Sequence, residues 1–156
     1  MNPAFAAIFL AALMPASAMA QTATWYVAGQ TGEGDNRLLT MVDARSVMAP
    51  SSNVRDVWTS GVYPKTRAFH DGRQYDEVRI RNRYDCTANT YTILGSSLRL
   101  NNAVVFGGDH PGDPVKLNPE SVAQRVATAV CTDNFSALKR IQAATPVAEG
   151  KRHFGQ

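Results

Sequence analysis

The sequence is short of almost everything from which catalytic and membrane-spanning chains are built. No apolar run approaches the roughly 20 residues needed to cross a bilayer; the longest, Ala4 to Met14, stops well before that. There is no HExxH zinc motif, no glycine-flanked serine elbow and no glycine loop that would cradle a phosphate. Lysine is scarce, four residues against twelve arginines, and the formal net charge of +3 is too small to imply a nucleic-acid partner. The arginine bias is also what a GC-rich coding preference produces. Cysteine is limited to Cys86 and Cys131.

Residues 1–20, MNPAFAAIFLAALMPASAMA, carry no charged side chain and end in Ala18-Met19-Ala20. That is the small-x-small pattern of a signal peptide cleaved after Ala20, so the expected mature chain starts at Gln21. Gln21 rather than a cysteine directly follows the cleavage point, so neither a lipid anchor nor a transmembrane one is expected. The expected organisation is a signal peptide (1–20), one domain (21–145) and a flexible tail (146–156), with the protein periplasmic or secreted.

In an oxidising compartment the two cysteines should bridge. In the chain-entropy model a loop of this length is worth about 4 kcal/mol. Cys86 closes a run from Tyr75 in which Val78, Ile80, Tyr84 and Cys86 share one face, while Glu77, Arg79, Arg81, Arg83 and Asp85 share the other. One face is read as core and the other as wet, the pattern of an antiparallel strand. Five more strands are read at 24–28, 37–43, 54–63, 90–100 and 103–107, with Pro64 to Arg73 as a loop. Gly107 to Val115 is read as irregular.

Asn118 at an N-cap, Pro119 at the first helical position and Glu120 in the first turn predict a helix running to about Cys131. Val122, Val126 and Val130 would form its buried stripe beside Cys131. A further helical turn or two is read within 133–144. The fold class is therefore α+β, an antiparallel sheet of about six strands with a C-terminal helix tethered to one face by a disulfide.

The order of Trp25, an aspartate closing the second strand (Asp43) followed by Ser46-Val47, then Val57-Trp58, Cys86, Pro119, Ser121 and Cys131 resembles the surface-adhesin protein E family. The resemblance spans Trp25 to Cys131 and implies a six-stranded antiparallel sheet with a helix tied across one face. It also implies an exported or surface-displayed, non-enzymatic binding protein, the family's namesake adhering to host matrix and plasma proteins. That namesake is a lipoprotein, and this chain lacks the cysteine to acylate.

Two candidate sites stand out. Arg79, Arg81 and Arg83 lie about 6.8 Å apart on alternate residues of one strand, a spacing suited to successive acidic groups of a polyanionic glycan or protein. The bland reading is a solvated face whose charges are relieved by neighbouring acids. His70 with Asp71, and Asp109 with His110, are the places where imidazole and carboxylate fall close together. They are weak candidates for a divalent metal or for a small periplasmic enzyme, but such aspartates beside glycine are also ordinary turn residues. No cofactor is expected. Trp25 and Trp58 read as core or sheet-face residues rather than ligand platforms, and an envelope stress or inhibitor module is a third reading.

Overall fold

The computed structural model describes residues 23–156, so the expected signal segment and the start at Gln21 lie outside the described residues. The described residues form nine strands and two α-helices: β1 (Trp25–Thr31), β2 (Leu38–Asp43), β3 (Met48–Ser51), β4 (Val54–Ala68), β5 (Gln74–Asp85), β6 (Thr90–Leu100), β7 (Ala103–Asp109), β8 (Val115–Lys116), α1 (Val122–Thr132), β9 (Lys139–Arg140) and α2 (Pro146–Phe154). All pairings are antiparallel. The order across the sheet is β7-β6-β5-β4-β2-β1-β9, with β3 also on β4 and β8 also on β6.

The expectation of about six strands is thus corrected to nine. The added strands are short, four residues in β3 and two each in β8 and β9. Runs so brief cannot display the alternation by which strands are recognised in a sequence. β9, which pairs with Tyr26 and Val27, replaces the helical turns expected in 133–144. β4 runs through Pro64, because the register shift between Val62 and Arg67 gives the proline a bulge in which it need not donate. The expected loop 64–73 shrinks to the turn after Ala68, closed by Phe69 N–H bonding Arg73 O at 2.7 Å.

α1 begins later than its proline suggests. Ser121 is the N-cap, its Oγ accepting from Gln124 N–H at 3.1 Å. Pro119 and Glu120 form the preceding turn, with Glu120 at φ 64°. Val122, Val126, Ala127 and Val130 then pack with Ala28, Val42, Val57 and Tyr84 into the first core. Gly29, at φ 153°, faces the first turn of α1, where a Cβ would stand 3.0 Å from Val122 Cγ2. The Cys86–Cys131 bond, with Cα atoms 5.7 Å apart, ties the end of β5 to the last turn of α1.

The segment expected to be a flexible tail is helical and docked. Thr145 Oγ1 caps α2 by accepting from Ala148 N–H at 3.2 Å, Pro146 occupies the first turn, and Gly155 ends the helix at φ 75°. α2 covers the sheet on the side opposite α1, where Val147 joins Trp25, Leu39, Met41 and Val62 in a second core. The sheet is therefore buried on both faces along part of its width, and its second face is wet only beyond α2.

Candidate functional site

That second face carries the polar half of β5. In register, Glu77 lies beside Val62 on β4 and Arg99 on β6, Arg79 beside Ser60 and Ser97, Arg81 beside Trp58 and Gly95, and Arg83 beside Asp56 and Thr92. Glu77, expected on the wet face, is 0% exposed. Its Oε1 accepts from Ser60 Oγ at 2.7 Å and from Arg79 Nε at 2.6 Å, while its Oε2 faces Arg99 Nε at 3.4 Å. Two guanidinium groups thus share one buried carboxylate. Neither Oε2 nor Arg99 Nε completes a hydrogen bond.

The structure places an acid beside every arginine of the stripe. Arg83 makes a two-pronged pair with Asp56, Nε to Oδ1 at 2.7 Å and Nη2 to Oδ2 at 2.8 Å. This bond pushes the Arg83 guanidinium further up from its ordinary value. Arg81 reaches across Gly95 to Asp109, with Nη2 3.3 Å from Oδ1. Gly95 allows the approach, for a Cβ there would sit 2.6 Å from that same oxygen. Arg79 leans on Trp25, its guanidinium carbon 5.3 Å from the ring centroid. The face so formed balances Arg79, Arg81, Arg83 and Arg99 against Asp43, Asp56, Glu77 and Asp109.

Beside the Arg79–Glu77–Arg99 group opens a cleft of about 340 Å³ lined by Trp25, Asp43, Trp58, Arg79, Ser97 and Arg99. Asp43 Oδ1 accepts from Thr24 N–H at 2.8 Å and Arg45 N–H at 3.1 Å, which fixes its carboxyl at the rim. Burial, and after it the like charge of Arg79, push Arg99 down from its ordinary value, with Glu77 opposing. Trp25 is buried in the second core, as its sequence position suggested, whereas Trp58 is half-buried and presents itself to the cleft. Arg99 and Ser97 were missed by sequence reasoning. The available signal was register: both lie on the strand that must pair with the arginine-bearing one.

The histidine loops are not part of this cleft. His70 stands exposed in the β4–β5 turn against Phe69, and Phe69 stacks near Phe106 at 5.2 Å. His110 follows β7 at its other end, with its N–H bonded to Leu94 O at 3.2 Å. Asp109, between them in the expected set, is engaged by Arg81. Among the described residues no group of three or more His, Cys, Asp or Glu side chains is placed to hold a metal ion.

The described residues thus form an antiparallel sheet with a helix stapled across one face and a polar arginine-tryptophan cleft on the other. The sequence profile of surface-adhesin protein E matches residues 25–132, most of the chain, and the protein belongs to that family. No curated protein and no solved structure gives a significant match. The matched span ends at the last residue of α1, so α2 is an addition to the matched unit.

Proposed function

We propose that this protein is an exported, non-enzymatic binding protein that takes a protein or glycan partner on the second sheet face, around the Arg79–Glu77–Arg99 cleft. The family supports the adhesin-like class. The observation that carries the location is the burial of Glu77 beneath two arginines, since a fully buried carboxylate holding two guanidinium groups at the floor of a cleft is a costly arrangement to maintain for a plain solvated face. Arg79 belongs to the contact surface, and Arg81 and Arg83 flank it with their carboxylate partners. Export follows the expected cleavage after Ala20. No helix among the described residues is long and apolar enough to cross a membrane.

The test uses residues 21–156 and surfaces coated with matrix proteins and with glycans. Saturable retention of the wild type, lost on replacing Arg79, Arg81 and Arg83 together by Gln and kept by the Lys65→Gln control, is expected. Retention on none of these surfaces would overturn the binding reading, and retention unchanged in the triple variant would move the partner to another face.

A further inference from the structure

We infer that the cleft binds an acidic sugar residue, a uronic or sialic acid unit of a glycan, with its carboxylate on Arg79 and Arg99 and the apolar face of its ring on Trp58. This rests on the binding role proposed above and names the ligand class of the same site. Part of each guanidinium remains unspent. Arg79 uses only its Nε within the protein, so its two Nη groups are without a hydrogen-bond partner among the described residues. Arg99 turns its buried Nε toward Glu77 Oε2 and donates through Nη2 to Asn102 O, so Nη1 is its one nitrogen without a partner among the described residues. Glu77 holds both guanidinium groups through their Nε sides, which leaves the two Nη groups of Arg79 and the Nη1 of Arg99 for a carboxylate.

The other groups distinguish a sugar acid from simpler ligands. Asp43 Oδ2 carries no hydrogen bond among the described residues and can accept from ring hydroxyls, while Ser97 Oγ can accept from or donate to them. Asp43 also repels a compact dianion such as sulfate or phosphate. With Asp43 counted, the cleft has two arginines against two carboxylates, so selection comes from directed bonds rather than from a long-range field. A neutral sugar would leave the Arg79 Nη groups and Arg99 Nη1 without a charged acceptor, a penalty that a site built around polar groups imposes on ligands lacking the matching atom. The volume of about 340 Å³ lies at the lower end for small-ligand sites and suits one sugar unit.

The experiment titrates residues 21–156 with D-glucuronic acid and N-acetylneuraminic acid, following tryptophan fluorescence and amide chemical shifts, with D-glucose and acetate as controls. The expected result is saturable binding of at least one acid about ten-fold tighter than either control, with shifts confined to residues around Trp58, Ser97 and Arg99. Trp58→Ala and Arg99→Gln should each weaken it about ten-fold, and Arg99→Lys should not restore it, because lysine lacks the planar fork. If a variant does not fold, the contrast between acid and neutral sugar on the wild type decides. Equal binding of glucose or acetate, shifts centred on the His70 or His110 turns, or no shift with either acid at tens of millimolar would overturn the inference. Retention on matrix proteins without any acidic-sugar response would remove this ligand class and leave the proposed binding role standing.

Discussion

Gly150 of α2 lies so close to Val62 of β4 that a Cβ on the glycine would stand 2.4 Å from Val62 Cγ1. The contact seats α2 on the second sheet face and closes the core around Leu39 and Met41. It also reverses the sign of an ordinary helix substitution. In an isolated helix Gly→Ala stabilises by about 1 kcal/mol, whereas here the added methyl must push the helix away. Gly150→Ala is expected to destabilise the protein by about 1–3 kcal/mol in urea titrations. A stabilised variant would show that α2 is not held against Val62.

The disulfide closes a sequence separation of 45 residues between the sheet and α1. Replacing Cys86 and Cys131 by Ala should therefore lower stability by about 2–5 kcal/mol, measured by denaturation under non-reducing conditions. Alkylation of the unreduced, exported protein followed by mass spectrometry should find no labelled thiol. Two labelled thiols would show that the staple is absent.

Much of the α1 side of the fold was legible because local periodicity and tertiary packing agree there. Tyr84 from the strand alternation meets Val122, Val126 and Val130 from the helical repeat in the first core, while Val78 and Ile80 of the same alternation stay half-buried. α2 was read as a tail because of its high polarity and nearness to the end of the sequence, although Thr145-Pro146 at its start, Lys151-Arg152-His153 in its last turn and Gly155 after it are helix signals. The burial of Glu77 was not legible. Alternation assigns it to the polar face correctly, but its cover comes from Arg99 and from the Val62 region under α2, far away in sequence. The cleft was hidden for the same reason: Trp58, Arg79 and Arg99 come from three strands, and only their register brings them together.

Glu77 gives a stability prediction that separates it from surface charge. Glu77→Gln removes the negative charge that Arg79 and Arg99 share at a site with no solvent exposure. It should cost about 3–5 kcal/mol, as breaking a buried charge group does. Lys65→Gln breaks the pair with Asp35, in which both side chains are about two-thirds exposed, and should cost under about 1 kcal/mol. Parallel chemical denaturation of the two variants checks the contrast. Equal, small effects would mean that Arg79 and Arg99 are adequately solvated without Glu77.

Glu149 is an acid-sensitive group in the first turn of α2, paired with Arg152 of the same helix. Burial acts to raise its carboxyl, but the hydrogen bond and charge of Arg152, with the backbone N–H groups of Ala143 and Gln142, outweigh burial and hold it below the usual carboxylate value. Because the folded value is depressed, the stabilisation is fully present above the unfolded carboxyl range and is lost as pH falls through the folded value. Melting followed from neutral pH down to pH about 3 should show a loss of stability in the wild type that is smaller in Glu149→Gln. The variant should be less stable than the wild type near neutrality, by about 1–3 kcal/mol for a hydrogen bond to a charged group. Amide exchange should locate the acid-induced opening in α2 while α1, held by Cys131, stays protected. An acid transition of the same size in both proteins would show that Glu149 does not govern it.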